Sequence, residues 1–261
     1  MRSKALETTE RPHAGITGRS ISFTQTFHAL TGTTHQRWLI GALVLTGTVT
    51  IASALIAIVA PNVRMVLLRE DGIIETASAI GLAIATLGAG VASAVRGPRL
   101  PFLLAGLIGL VELMDETSFG ARIFGFQPPP LFGGGELDGF HDLMILAYRL
   151  LGDLSPGLGW LWVGLIFAAS AGIILIALRQ IRKVAEGGGS WLAEHALVFL
   201  HVGFVGLAQA IDVATSSKAL SAVEEVLEFD AALLLLFYLV QQASRQHSWG
   251  NDIEVHESVR P

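Results

Sequence analysis

Runs of about 20 apolar residues recur along the chain at 38–60, 73–95, 101–120, 158–178, 191–212 and 222–241. Each is long enough to cross a hydrocarbon core about 30 Å thick. The pattern predicts an all-α polytopic membrane bundle of six transmembrane helices over 38–241, flanked by polar tails at 1–37 and 242–261. The segment at 121–157 is too long for a simple turn. Its Pro128-Pro129-Pro130 run predicts a rigid extended stretch, and Gly133-Gly134-Gly135 a flexible one. From Gly139 to Leu151 the residues Leu143, Ile145, Leu146, Leu150 and Leu151 predict a re-entrant or interfacial helix, starting near Asp138 as N-cap and ended by Gly152.

Composition agrees with a bilayer as the partner. The chain is 52% hydrophobic and 15% charged, with a mean hydropathy of +0.59, whereas soluble domains carry about a quarter charged residues. There is no cysteine, which excludes disulfides, thiolate metal sites and a cysteine nucleophile. A net charge of -5 without a basic stripe sets nucleic acid aside. Twelve Lys and Arg lie in the two tails and the 96–100 and 179–190 connections, against five in the alternate connections. By the positive-inside bias both termini are cytoplasmic, as an even number of spans also requires.

In that orientation 15 of the 22 acidic residues fall at or near the outer face. Glu70, Asp71 and Glu75 precede or start the second span; Glu112, Asp115 and Glu116 end the third. Asp212 ends the fifth, and Glu224, Glu225, Glu228 and Asp230 open the sixth. The first and fourth spans carry none, so the other four are expected to surround a polar site while these two face lipid. The plain alternative is that acids accumulate wherever basic residues are excluded. It explains loop residues such as Asp71, Glu136 and Asp153 well. It explains Glu75, Glu112 and Glu228 less well, because these sit a turn or more inside their spans, where ionisable groups are costly and usually face a bundle interior.

The stretch Val111–Arg122 concentrates the chemistry. Glu112, Asp115 and Glu116, at i, i+3 and i+4, share one helix face, and carboxylates at a helix C-terminus oppose its dipole. Arg122, a bound cation or groups from other helices must compensate them. His141 is the histidine nearest to them, and its i, i+3 spacing from Asp138 suits orientation of an imidazole for metal binding or proton transfer; an exposed histidine at a helix start is the alternative. His201 in the fifth span is either a buried, hydrogen-bonded histidine or a proton-relay step. Glu194 and His195 are expected to snorkel to the interface, and Ser221-x-x-Glu224 has the form of a capping box.

The run Asp115-Glu116-Thr117-Ser118-Phe119-Gly120-Ala121-Arg122, followed by His141-Asp142 and by Glu224-Glu225-Val226-Leu227-Glu228, resembles a pattern in uncharacterised bacterial multi-pass membrane proteins. Those read Glu-Glu-Ile-Ser-Trp-Gly-Gln-Arg, then His-Asn, then Glu-Glu-x-x-Glu. This chain departs from it at Asp115, Phe119, Ala121 and Asp142. The resemblance implies a bacterial inner membrane and brings no activity with it.

Three functions fit these residues. The first is a metal-dependent membrane enzyme acting on a lipid-like or small apolar substrate. Its candidate metal ligands are Glu75, Glu112, Asp115, His141, Glu225 and Glu228, and Glu116, His141 and Arg122 are its candidate catalytic groups. Oxygen-rich donors favour Mg, Mn, Ca or Fe as the divalent metal, and bundles build such sites from carboxylates on facing helices. The second is a proton- or cation-coupled transporter with His201 on its path. The third is a non-catalytic membrane subunit that binds a partner chain or pigment, as a homo- or hetero-oligomer. Small residues such as Ala77, Ser78, Gly81, Ala169, Ser170 and Gly172 would serve close helix contacts in any of them.

Overall fold

A computed structural model describes residues 34–60, 63, 72–185, 190–214 and 217–257. Most of the expected N-terminal tail, with Glu70 and Asp71, lies outside these residues. The described chain is all-α: α1 Thr34–Val59, α2 Ile73–Arg96, α3 Leu100–Glu116, α4 Ala121–Phe124, α5 His141–Leu154, α6 Pro156–Ala185, α7 Trp191–Glu194, α8 Ala196–Ala214 and α9 Lys218–Glu257. Among the described residues the sole bridge outside helices pairs Pro130 with Glu136.

Four of these helices are long and apolar enough to cross a membrane, over Gln36–Val59, Ile73–Arg96, Pro156–Val184 and Ala196–Ala214. This corrects the count of six. The expected third span forms α3, but its 17 residues reach about 25 Å at 1.5 Å per residue, short of the hydrocarbon core. The expected sixth forms the start of α9, where Glu224, Glu225, Glu228 and Asp230 interrupt the apolar run; the helix then continues through the residues expected to be a polar tail. The fifth is shortened because the helix breaks at His195, between α7 and α8.

Helix α9 runs through the centre of the bundle. Leu234, Leu235 and Tyr238 on it are fully buried, with Leu82 of α2, Phe102 of α3 and Leu197 and Leu200 of α8 around them. Small residues set the helix spacings. Gly81 lies against Ala232 and Leu236, and a Cβ at Gly109 would meet Thr86 Oγ1 at 2.7 Å. Ser170 of α6 packs on Gly203 and Gly206 of α8. Gly81 and Ser170 are thus used within the chain, whereas Gly172 faces open space. Helices α1 and α6 display Val44, Ile51, Leu55, Ile58, Trp160, Leu161, Leu165 and Phe167 outward, and α2 and α3 likewise expose Ile84, Leu87, Leu103 and Leu107. One face of α1 nonetheless meets α9, where Thr50 hydrogen-bonds the buried Asp230.

The end of the bundle at which α2 and α9 begin and α3 and α8 finish is the acidic end. At the opposite end Arg96 Nη1 donates to the Ala243 carbonyl at 2.7 Å and Gln36 Nε2 to that of Val184 at 2.9 Å. Glu194 and His195 lie at this end, and His195 does not snorkel. His195 is buried, stacked on Trp191 with ring centroids 4.4 Å apart, and its Nδ1 meets the Trp191 carbonyl at 2.9 Å. The helix break folds the imidazole back over the preceding turn, and Gln242 Nε2 donates to the Glu194 carbonyl.

Candidate functional site at the acidic end

Two consecutive turns after α3 aim the site. Thr117 Oγ1 donates to the Leu113 carbonyl at 2.8 Å as α3 ends, and the chain then enters a 3-10 turn over Ser118–Gly120. Ser118 and Phe119 both have φ of +52°, a left-handed conformation that costs a side-chain-bearing residue about 1–2 kcal/mol. Phe119 offsets part of that by packing edge-on against Phe140, with ring centroids 4.9 Å apart. The turn points Arg122 back at the bundle: its Nε donates to Ser118 Oγ at 3.1 Å, and its Nη1 forms an ion pair with Glu75 from the first turn of α2.

The connection to α5 folds as a short hairpin rather than an extended arm. Leu137 N–H donates to the Pro129 carbonyl at 2.7 Å and Leu131 N–H to that of Gly135 at 3.0 Å, and Gly133, Gly134 and Gly135 all take positive φ. Arg149 of α5 holds the tip by donating to the carbonyls of Phe132 and Gly134 at 2.7 and 2.6 Å. Helix α5 starts at His141 with Phe140 as N-cap, two positions after the expected N-cap Asp138, and it passes Gly152 to end at Leu154. The shift follows from Asp142, which is buried and accepts from the backbone N–H groups of Asp138 and Gly139 at 2.8 and 3.1 Å. It thereby ties down the turn that leads into the helix from within the helix's own first turn.

These turns bring His141 to the end of α3. His141 Nδ1 lies 3.0 Å from Asp115 Oδ1, which also accepts the His141 backbone N–H at 3.3 Å. The other ring nitrogen, Nε2, faces Asp138 Oδ1 at 3.9 Å and Asp142 Oδ1 at 3.7 Å. Asp138, His141 and Asp142 therefore present three ligand atoms within 4.8 Å of one another. The approach is tight: a Cβ at Gly139 would collide with Asp115 Oδ1 and with the His141 ring. Burial alone would lower the pKa of His141. The hydrogen bond to Asp115 and the charges of Asp115, Asp142 and Asp212 outweigh it, so the imidazole is pushed up to about 9. Asp138 is also raised, by burial and by its hydrogen bond and charge repulsion with Asp142.

Behind this group lies a cavity of about 160 Å³. Its walls are Glu75 of α2, Asp115 and Glu116 of α3, Arg122, His141, Gln209 and Asp212 of α8, and Ser221, Glu224, Glu225 and Glu228 of α9. Seven carboxylates thus face one guanidinium and one imidazole in a volume the size of a few waters. Like charges this close cannot all stay ionised unless cations or protons compensate them.

Of the residues singled out in the sequence, Glu75, Asp115, Glu116, Arg122, His141, Glu225 and Glu228 all line this cavity. Glu112 does not; it turns the other way, to His201 on α8, with Oε1 and Nε2 2.8 Å apart. Asp115 stands behind the imidazole rather than beside the Asp138–Asp142 pair. Glu224 lines the cavity instead of forming a capping box with Ser221, because α9 starts four residues earlier than that box requires and Ser221 N–H already bonds the Ser217 carbonyl. Gln209 and Asp212, at i, i+3 on α8, join them in the wall. No protein-family model, curated protein or solved structure matches the chain.

Proposed function

We propose that the protein is a divalent-metal-dependent membrane enzyme acting on a lipid-like or small apolar substrate. The observation that carries this is His141, held by Asp115 through Nδ1 while Nε2 converges with Asp138 and Asp142. A ligating histidine whose second nitrogen is bound by a carboxylate is the usual arrangement at metal centres, because it fixes ring orientation and raises ligand basicity. Three protein ligands leave a coordination position for water or substrate, as catalytic sites require. The donor set of two carboxylates and one imidazole suits Mn or Fe best, with Mg and Ca behind them.

A metal there would polarise a substrate oxygen or lower the pKa of a bound water. Glu116 on the cavity wall is placed to take a proton, and Arg122, held between Ser118 and Glu75, supplies N–H donors to a developing anion. The remaining cavity acids concentrate cations at the mouth. In this proposal α3 and the apolar part of α9 also lie within the bilayer, sheltered by the four longer helices. The proposal places both termini in the cytoplasm, the cavity facing outward and the chain in a bacterial inner membrane; the excess of Lys and Arg in the tails and in the 96–100 and 179–190 connections supports that orientation.

Metal analysis of purified protein tests the reading. One metal per chain is expected, lost in His141→Ala and in Asp138→Asn; folded wild-type protein that takes up no divalent metal would sink it. A proton- or cation-coupled transporter is the second reading, favoured by the buried Glu112–His201 pair, and flux into proteoliposomes that depends on His201 is its test.

A further inference from the structure

We propose that residues 123–132 form a hook that dips into the lipid leaflet at the acidic end, beside the cavity. From Ile123 to Gly135 the chain carries no charge, and it includes Phe124, Phe126 and Phe132. A connection running through water turns its polar groups outward. This one does the reverse: Phe124 is 80% exposed and Ile123 67%, and Phe126 and Phe132 are exposed with them. Apolar surface gathered in this way marks contact with a membrane or with another protein. Its depth, its continuity with the bundle surface and its backbone bonding select the membrane.

The depth is set by Arg122, the residue before the hook, which pairs with Glu75 in the first turn of α2. Helix α2 is long and apolar enough to cross a membrane over Ile73–Arg96. The hook therefore starts at the level where that span enters the hydrocarbon, which is where aromatic side chains collect at membrane surfaces. Along one face of α3, Leu103, Leu107, Leu110 and Met114 are exposed at i, i+4, i+7 and i+11. After the turn at Ser118–Gly120, α4 carries that apolar surface on with Ile123 and Phe124.

Lipid offers no hydrogen bonds, so a segment entering it must satisfy its own peptide groups. Pro128, Pro129 and Pro130 have no N–H to satisfy. The N–H groups of Gly125, Leu131, Gly134 and Leu137 donate to the carbonyls of Ala121, Gly135, Leu131 and Pro129 at 2.7 to 3.1 Å. Arg149 Nη1 serves the carbonyls of Phe132 and Gly134, which also sets a cation beside the exposed Phe132 ring. Headgroup phosphates suit the cation, and the acyl chains below them suit the ring. Because Arg122 lines the cavity, the hook holds the leaflet against the cavity wall. The hook goes beyond the metal proposal and stands without it, needing only the bilayer.

The chain has no cysteine, so single spin labels can be placed in the full protein without background. Phe124→Cys and Phe132→Cys, labelled and held in phosphatidylcholine nanodiscs, are read by collision with oxygen, which partitions into lipid, and with a nickel chelate, which stays in water. At both positions the oxygen-to-nickel ratio should exceed that of the same label free in buffer several-fold, as it should at Leu165→Cys on the outward face of α6. A ratio equal to that of the free label would place the segment in water and overturn the proposal. Labels shielded from both reagents would mean that protein covers the patch, which overturns it equally. If either variant fails to fold, Phe126→Cys carries the same expectation and the same contrary outcomes.

Discussion

His141 Nδ1 meets Asp115 Oδ1 at 3.0 Å across 26 positions of sequence, so the end of α3 and the start of α5 are joined through one imidazole. The bond decides which nitrogen is left to face Asp138 and Asp142. It also places a positive charge among carboxylates whenever no metal is present.

The first expectation concerns pH. The folded-state pKa of His141, about 9, lies above the ordinary imidazole value of 6.5. Its stabilisation of the metal-free fold is therefore complete below about 6.5 and is lost as pH rises through about 9. Thermal melts in the presence of a chelator should show Tm falling across that interval. A bound metal must displace the same proton, so Mn affinity should rise about tenfold per pH unit up to pH ~9. Calorimetric titration at several pH values checks this, and a flat profile would remove His141 from the ligand set.

Asp115→Asn tests the orienting role. The amide keeps the shape but cannot hold the imidazole as a carboxylate does, and loss of such a partner costs about 10–100-fold in metal affinity. Unchanged affinity would show that Asp115 does no more than close the cavity wall.

Gly139→Ala tests the geometry without touching a titratable group. The added methyl would collide with Asp115 Oδ1 and the His141 ring, so metal binding should fall as far as in His141→Ala while the helical circular dichroism is retained. Wild-type affinity in this variant would mean that the 138–141 turn is looser than its contacts imply.

The Arg122–Glu75 ion pair should show strong coupling. Glu75 is buried and Arg122 is more exposed, so Arg122→Met should destabilise by about 1–2 kcal/mol after solvent screening. Glu75→Gln should cost less, and the double variant should recover part of the Arg122→Met loss. A double-mutant cycle by denaturant unfolding in mild detergent measures this, and additive costs would contradict the pairing.

The site was more legible than the bundle. Carboxylates one turn inside apolar helices are costly enough to need a shared environment, and for Glu75 and Glu228 that cost led straight to the cavity. Glu112 obeyed the same rule but found its partner in His201, one helical turn away, and spacing along α3 cannot tell which neighbour a carboxylate will choose. Asp142 was invisible as a structural residue because the α5 start depends on a two-residue difference in where the backbone turns. The span count failed for a related reason: hydropathy windows score α3 and α9 by composition, while the length of α3 and the acids of α9 decide whether they can cross on their own.

Arg149 sits eight residues beyond His141 on α5, about 12 Å along a single rigid rod, and its guanidinium grips the exposed glycine tip of the 130–136 hairpin. That loop is thus a handle on the imidazole. Anything that seizes the tip pulls on the bond to Asp115, and anything that tightens around His141 stiffens the loop in return.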